Sequence, residues 1–378
     1  MSDYINHQIE TKCQRHSNKK VMVAMSGGVD SSTVALFLRD EGYEVTGVTC
    51  RMFVNEDIGV VDESRCCSLA DVEDARLAAH KIGASHYVYN MGGCFKNTVI
   101  EPFVNAYLAG ETPNPCINCN KYVKFPQLLE RALLLGIDFL ATGHYAKVFY
   151  DGQRKRWLLA RAEDQTKDQT YMLYGLTQKE LSHLLLPLGN LKKTEVRAKA
   201  GEAGLINAAK PDSQDICFVP NGSYAGFIEH FSGQRAQPGT FILENGEVIG
   251  RHKGLIHYTL GQRKGLGIAY NYPLYVLAKD ARKNNIILGP EKSLYSTECI
   301  VNDCNFIAIQ ELSSPLAVTC KVRYRMKDEP ALISPMGDGK VKVTFRNPQR
   351  AITPGQAAVF YDGEVVVGGG KIIEEPVT

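Results

Sequence analysis

Two groups of residues in this chain have the types and spacing needed for chemistry. The first is Ser26-Gly27-Gly28-Val29-Asp30-Ser31-Ser32, entered from the apolar run Val21 to Met25 and left through a helical pattern with Val34, Phe37 and Leu38 on one face and Gly42 as its stop. Glycines let backbone amides approach an anion closely, serine hydroxyls add donors, and a helix N-terminus supplies the positive end of its dipole. The usual P-loop spacing with its lysine is absent, and so is GxGxxG. A capped turn without a ligand is the bland alternative. Two glycines, three serines and an aspartate within seven residues argue for a phosphate site instead.

The second group is made of thiols. Asn114-Pro115-Cys116-Ile117-Asn118-Cys119-Asn120-Lys121 carries a Cys-x-x-Cys spacing, and Asp212-Ser213-Gln214-Asp215-Ile216-Cys217-Phe218 adds a cysteine about a hundred residues on. Two sulfurs at that spacing can converge on one small centre, and a thiol near Lys121 or a helix N-terminus is biased toward thiolate. A zinc clip would want a fourth ligand that the sequence does not offer. Cys50, Cys299, Cys304 and Cys320 lie in apolar strand-like runs and read as core. Cys66-Cys67, in a loop before a helix, reads as structural or at most as a contact to a substrate loop.

These groups must be held by a scaffold. Strand patterns at Val21–Met25, Glu44–Cys50, His86–Val88 and Phe139–Thr142 alternate with helical ones near Leu69–Ile82, Thr98–Leu108 and Pro126–Leu135, as in an α/β fold with a doubly wound, mostly parallel sheet. After about Tyr145 the texture changes. A hairpin is expected around Asp151-Gly152 and a helix over Leu191–Ala203, capped at Thr194. From about Asn221 helices nearly vanish, and Asn245-Gly246 and Asp362-Gly363 mark hairpins. The division expected is a catalytic domain over 1–220, a small β-rich linking domain over 221–283 and an antiparallel β barrel over 284–378.

Composition narrows the class. At 378 residues with 44% hydrophobic and 22% charged residues, and no apolar run of about 18, the chain reads as globular rather than membrane-spanning or disordered. Its polar start lacks the apolar core of a secretory signal, which leads to the expectation of a cytoplasmic protein. Eleven cysteines, an odd number, are too sparse for a disulfide-stapled scaffold. A net charge of +2 announces no nucleic-acid partner, so any such surface must be local.

The loop SGGVDSS resembles the pyrophosphate-binding loop of the ATP pyrophosphatases, the PP-loop superfamily, which cleave ATP to AMP and pyrophosphate by adenylating an acceptor oxygen, with Mg²⁺ helping the leaving group. The ordered set AMSGGVDSS, TPNPCINCNKYVKF, ATGHYAKV, KDQTYML, SQDICFVP and YTLGQRKGLGI, spread over most of the chain, is similar to the tRNA-specific 2-thiouridylases, the MnmA family. The resemblance implies an adenine nucleotide alpha hydrolase-like fold. It also implies an enzyme that adenylates the C2 oxygen of the wobble uridine, position 34, and replaces it with sulfur. On that basis Cys119 is the nucleophile and Cys217 carries the persulfide. Ala24, Met25, Ser26, Gly27, Gly28, Val29, Asp30, Ser31, Met52 and Gly143 hold ATP, with Asp30 orienting the loop or reaching the metal and Met52 on adenine. Asn114, Pro115, Cys116, His144, Lys167, Asp168, Gln169, Tyr324, Arg325 and Gln356 meet tRNA, by resemblance those for Lys, Glu and Gln. The sulfur donor would be a cysteine desulfurase or a relay protein after it.

One position departs from the family. Many members carry Asp three residues before the nucleophile, and this chain has Cys116. A thiol with an ordinary pKa of about 8.5 does not replace a carboxylate of about 3.9 as a proton shuttle. Two sulfur routes stay open: a persulfide on Cys217, or an iron-sulfur cluster held by Cys116, Cys119 and Cys217 with one open iron.

Charge is segregated locally. Val248 to Lys279 holds Arg251, Lys253, Arg263, Lys264 and Lys279 but no acid. Lys321, Arg323 and Arg325 are expected on one strand face, with Lys327 just beyond, and Lys340, Lys342 and Arg346 on another. A solvated face and an RNA surface are both compatible with these. Two rival functions also remain: another PP-loop enzyme forming an amide or amidine on a small metabolite, and an RNA-binding barrel with an idle nucleotide fold. The first would leave the thiols and the basic β region unused, and the second would leave the intact loop unused.

Overall fold

A computed structural model describes residues 19–53, 69–212, 215–219 and 222–373. Strands β1 (Lys20–Ala24), β2 (Glu44–Arg51), β3 (Ser85–Asn90) and β4 (Phe139–Thr142) come first, followed by the hairpin β5 (Lys147–Asp151) and β6 (Arg156–Ala160) and the short β7 (Leu184–Leu185). A five-stranded sheet runs β3-β2-β1-β4-β7, with every neighbouring pair parallel. The longer helices are α1 (Val29–Asp40), α2 (Leu69–Lys81), α3 (Glu101–Leu108), α4 (Phe125–Leu134), α5 (Lys193–Glu202) and α6 (Tyr224–Ser232).

The apolar run of β1 is explained by burial on both faces, as a central parallel strand requires. Val21 and Val23 enter one core with Val34, Ala75, Ala79 and Val196 from α1, α2 and α5. Met22 enters the opposite core with Phe95, Phe103, Phe125 and Leu128. Strand order reverses direction about β1 and β4, so the crevice at their carboxyl ends is the switch point where α/β sheets take ligands. Both the Ser26 loop and Gly143-His144 leave the sheet there.

Local differences from expectation have identifiable causes. The helix expected from Thr98 already begins at Gly92, runs through a π-turn over Lys96–Ile100 and joins α3. The Asn90 Oδ1 accepts the Gly92 N–H at 3.0 Å and starts a turn where a glycine pair reads as a break. The cap of α5 falls at Lys192, whose N–H donates to the Glu195 carboxylate at 2.7 Å, and not at Thr194. Beyond Asn221, where helices were expected to nearly vanish, α6 forms because Phe227 and Ile228 bury one face of it.

The remaining strands form two further sheets. β8 (Gly239–Leu243), β9 (Val248–His252), β10 (Tyr275–Asp280) and β11 (Asn285–Gly289) are ordered β10-β11-β8-β9, with the Asn245-Gly246 turn joining β8 to β9. β12 (Tyr295–Phe306), β13 (Leu316–Lys321), β14 (Glu329–Gly337), β15 (Lys340–Arg350), β16 (Ala357–Asp362) and β17 (Val365–Ile373) run β12-β15-β14-β13-β16-β17. Pairing of β12 with β17 closes them into an antiparallel barrel. Val318, Cys320, Ile333, Val343 and Phe360 fill its interior. β6 adds to the edge of this sheet through Ala160 and Val365, tying the hairpin after β4 to the barrel.

Cys320 is buried in the barrel core, Cys299 and Cys304 pack against it, and Cys50 packs against the core beside α4. Cys66-Cys67 lies outside the described residues. No described helix is long and apolar enough to cross a membrane.

Candidate nucleotide and thiol site

The loop after β1 is shaped by steric limits. Gly27 has φ +72°, and a Cβ there would run into the backbone carbonyl of Asp71. At Gly28 a Cβ would meet Ser26 Oγ at 3.4 Å and no other described atom within 4 Å, which leaves room for an anion to approach the backbone. Gly143 is also required: a Cβ would come within 2.9 Å of the Ser31 N–H and 3.0 Å of Asp30. The close approach of β4 thus fixes the first turn of α1. Ser31 accepts the Ser26 N–H at 3.1 Å, and Ser32 donates to the Gly28 carbonyl at 3.1 Å.

Side chains far away in sequence complete the cradle. Asn207, 3% exposed, donates from Nδ2 to the Gly27 and Gly28 carbonyls, each at 3.2 Å, and to Ser32 Oγ at 2.7 Å. Lys210 reaches Asp71 at 2.6 Å and Asp74 at 2.7 Å. Asp30 accepts from Lys193 through both oxygens at 2.7 Å and from the Tyr145 hydroxyl at 2.9 Å. Lys193, Lys167 and Arg197 converge on Asp212 at 2.8, 2.8 and 3.0 Å. Burial opposes ionisation of Asp212, but the Lys167 and Lys193 ammoniums outweigh it and lower its pKa to about 2. Sequence reading missed Lys193, Arg197, Asn207 and Lys210. Their only local signal was a basic helix start next to the asparagine and lysine that follow α5.

Cys119 and Cys217 belong to the core on the Met22 face of the sheet. Asn114 caps a short helix, Pro115–Asn118, by accepting the Cys116 N–H at 3.2 Å, and a π-turn over Cys119–Lys124 follows. Cys119 is buried, whereas Cys116 remains exposed. Cys217 is delivered by aromatic packing: Phe218, 1% exposed, sits edge-on to Phe95 and Phe103 at 5.6 and 5.2 Å and also touches Phe227. Cys119 and Cys217 therefore border the same apolar cluster, although about a hundred residues separate them. Lys124, at the end of the π-turn, is the cation they share. Burial disfavours its charge, and Cys119, Cys116, Cys217 and Cys50 together more than offset that, raising its pKa.

His144 links the two halves. Its Nδ1 is 2.7 Å from Thr142 Oγ1, and its ring lies 5.6 Å from that of Phe125. Burial, and then the charge of Lys124, drop its pKa to about 3, so it is a neutral imidazole at physiological pH. Although the Cys116 residue is exposed, the protein packed about its thiol disfavours the charged form and raises its pKa to about 11; Cys119 adds to the rise, and Lys124 only opposes it. Burial also raises that of Cys119. Because the thiolate appears only as pH climbs toward the raised pKa, alkylation of Cys116 by iodoacetamide is expected to increase about tenfold per unit from about pH 7 to about 9 without levelling. Peptide mass analysis of timed quenches measures this; a plateau below about pH 9 contradicts it.

The other candidate contacts fall into two kinds. Tyr324 is half-buried against Tyr171, and Arg325 is exposed beside it. Asp168 is turned inward, accepting from the Ala162 N–H and from Thr170, and Gln169 accepts the Tyr145 N–H at 2.9 Å. Pro115 is buried. Gln356 donates to the Thr112 carbonyl at 2.6 Å, and Tyr171 to that of Ala357 at 2.9 Å, so the barrel clasps the segment that leads into Cys116. Met52 packs into the cluster that holds Cys119.

Two basic residues correct the sequence reading. Lys279 is buried and donates to the Tyr258 carbonyl at 3.1 Å, with its pKa lowered to about 8 by burial, so it cannot belong to a phosphate-facing surface. β13 ends at Lys321, and Arg323 turns inward to the Ala351 carbonyl and Thr353, leaving Arg325 and Lys327 exposed in the turn beyond. Arg251, Lys253, Arg263, Lys264 and Arg346 are exposed.

Among the described residues no three His, Cys, Asp or Glu side chains gather as metal ligands would. Asp30 is engaged by Lys193 and Tyr145, so the residues do not form a protein cage for Mg²⁺. As they stand, Cys116, Cys119 and Cys217 do not form one for a cluster either.

A glycine-rich loop at the switch point of a parallel sheet, with Cys119 and Cys217 against the core on one face and a β barrel beyond, has the form of a nucleotide-using enzyme of the HUP class. Residues 19–221 match the tRNA methyl transferase HUP domain, 225–290 the tRNA methyl transferase PRC-barrel domain and 296–372 the aminomethyltransferase β-barrel domain. The chain is 52% identical to the tRNA-specific 2-thiouridylase MnmA of Acetivibrio thermocellus, over 94% of this chain and 99% of that one. It is also 52% identical to MnmA 2 of Caldanaerobacter subterraneus subsp. tengcongensis, over 95% and 99%. The MnmA protein of Halothermothrix orenii is 50% identical, over 94% and 99%. The chain belongs to the tRNA-specific 2-thiouridylase family, MnmA.

Proposed function

We propose that the chain is an ATP-dependent tRNA sulfurtransferase that makes 2-thiouridine at the wobble position. The reading draws most support from Cys119 and Cys217, which both border one apolar cluster and both act on the charge of Lys124. In this scheme the domain spanning 1–220 holds ATP and thiols, and 221–283 and 284–378 hold the tRNA body. The C2 oxygen of uridine attacks the α-phosphorus of ATP and pyrophosphate leaves. The terminal sulfur of a Cys217 persulfide attacks C2, and AMP leaves with the oxygen. Cys119 thiolate then attacks the Cys217 sulfur, leaving sulfur on the base and a Cys119–Cys217 disulfide that a thiol reductant must open.

Lys124 favours the thiolate and persulfide forms, and neutral His144 is suited to a base edge rather than a phosphate. Mg²⁺ would come in with the phosphates, supplying charge neutralisation for the leaving pyrophosphate. The tRNAs for Lys, Glu and Gln and a cysteine desulfurase or relay protein are the proposed partners. Mass analysis of nucleosides from tRNA incubated with the protein, ATP, Mg²⁺ and a persulfide donor tests the reading. A uridine carrying one oxygen-to-sulfur exchange is expected, and its absence while a small metabolite stimulates AMP release points to a ligase.

The cluster route, raised by Cys116 standing where the family carries Asp, finds no three thiols gathered to hold a cluster among the described residues. A fully active, colourless, iron-free preparation disposes of it. For the RNA surface, Arg325→Ala is expected to weaken tRNA binding and to reduce the slope of log affinity against log salt by about one, without altering ATP binding. Titrations at several salt concentrations measure this, and an unchanged slope removes Arg325 from the interface.

A further inference from the structure

Lys121 follows Cys119 by two residues, where its ammonium was expected to bias a thiol toward thiolate. The cation the thiols share is instead Lys124, and Lys121 is engaged by the barrel: its Nζ lies 2.7 Å from the Asp303 carboxylate of β12. The contact is shaped along its whole length. The Lys121 stem lies across Gly175, where a Cβ would come within 3.2 Å of it, and only 17% of the side chain is exposed.

The barrel side of this contact is built as well. Asp303 has φ +48°, uncommon for a residue with a side chain, and the pairing of β12 with β17 slips between Asn302 and Asn305. A bulge of this kind re-aims side chains. Asn305 donates from the same bulge to the Tyr174 and Leu176 carbonyls at 2.7 and 3.0 Å, on either side of Gly175. One bulge therefore grips both the head of Lys121 and the loop under its stem. Asn120, buried, adds a tie to the Met172 carbonyl at 3.1 Å. Asn120 and Lys121 are consecutive residues of the π-turn Cys119–Lys124, whose closing bond runs from the Phe125 N–H to the Asn120 carbonyl. A π-turn is rare and needs tertiary contacts to compete with the ordinary helix. Relaxing it to the ordinary pattern removes one residue's offset and turns Cys119 by about 100° relative to α4.

Resting on the proposed sulfurtransferase reading, we infer that Lys121 and Asp303 are positioning residues: their ion pair lets the barrel hold the π-turn open, so that Cys119 is aimed at the Cys217 sulfur. In the step this serves, a bond forms between the two cysteine sulfurs. The bond from Cys217 to the transferred sulfur breaks, and its electron pair leaves with the sulfur on the base. Before that step AMP has already left and the base is joined to Cys217 through two sulfurs. Lost aim therefore stalls the reaction at this RNA–protein adduct and not at adenylation.

The test is a single turnover of the full chain, loaded by a persulfide donor, with tRNA, ATP and Mg²⁺. Free 2-thiouridine, adduct retained in the absence of reductant, and AMP are read from one quench. Lys121→Met and Asp303→Asn are each expected to slow release of 2-thiouridine about tenfold and to let the adduct accumulate, with first-turnover AMP and tRNA affinity changed by less than about twofold. The charge-reversed pair, Lys121→Glu with Asp303→Lys, is expected to recover release to within about threefold of the unmodified rate. Asp303 is 62% exposed and its ion pair adds little stability, so Asp303→Asn carries the test even where Lys121→Met fails to fold. A second arm uses oxidised glutathione without tRNA. Cys119 opens the mixed disulfide at Cys217, glutathione thiolate leaves, and both variants are expected to slow this about tenfold.

Release at the unmodified rate by Asp303→Asn overturns the inference. So does a parallel fall in AMP, tRNA affinity and release, because the pair would then serve the general fit of barrel to catalytic domain. A charge-reversed pair that recovers nothing overturns it too. A glutathione reaction that depends on the pair, in a protein that makes no 2-thiouridine, sinks the sulfurtransferase reading and leaves the positioning role intact.

Discussion

Cys217→Ser is expected to abolish thiolation of tRNA, by on the order of 10³-fold or more, while release of AMP and pyrophosphate from ATP in the presence of tRNA persists. The separation follows from where the residue sits. Cys217 lies against the core shared with Cys119, held by Phe218, and the contacts that shape the phosphate loop come from Asn207, Gly143 and Asp71. A hydroxyl is nearly isosteric with the thiol, so the aromatic anchor and the loop are left in place, but it cannot carry a sulfane sulfur. Activation of the base oxygen needs no thiol. The measurement pairs nucleoside mass analysis with an AMP assay on one sample. Normal thiolation by Cys217→Ser with a persulfide donor means another residue carries the sulfur.

What the sequence makes legible is whatever depends on neighbours in the chain. A strand leading through Ser26-Gly27-Gly28 into a helix is local, and it stands where the residue pattern puts it. The cations around Asp212 are different. Lys167 precedes α5, Lys193 and Arg197 lie on it and Asp212 follows it, and only tertiary convergence gives the three cations a shared partner. Lys279 shows the converse error. An acid-free stretch says nothing about which of its lysines faces inward, and Lys279 is covered by Tyr258 and lies 6.0 Å from the Tyr107 ring centroid. Arg323 misled for a related reason: alternation predicts a face only while the strand continues, and β13 stops at Lys321. The π-turn at Cys119–Lys124, which brings Lys124 back toward the thiols, has no sequence signature that periodicity at 3.6 residues would catch.

Asp30→Ala is expected to lower AMP formation by on the order of 10²-fold or more with tRNA affinity unchanged. Asp30 is the only carboxylate within α1's first turn, and it accepts two bonds from Lys193 and a third from the Tyr145 hydroxyl. Its removal strips the buried Lys193 of one of its two acid partners and frees Tyr145, whose backbone N–H is latched to Gln169. Lys193 then swings fully to Asp212, away from the loop where a β- or γ-phosphate would lie, so transition-state charge is met by a displaced donor. Ground-state ATP binding falls less, since Gly27, Gly28 and the helix N-terminus still contribute their amides. The split is therefore toward kcat rather than KM. The exposed Arg325 and Lys327 sit on the barrel, beyond this network, and their phosphate contacts do not register the change. Parallel titrations with tRNA and steady-state AMP assays decide the matter: if affinity for tRNA and adenylation weaken together, the nucleotide cradle and the RNA surface are one coupled site.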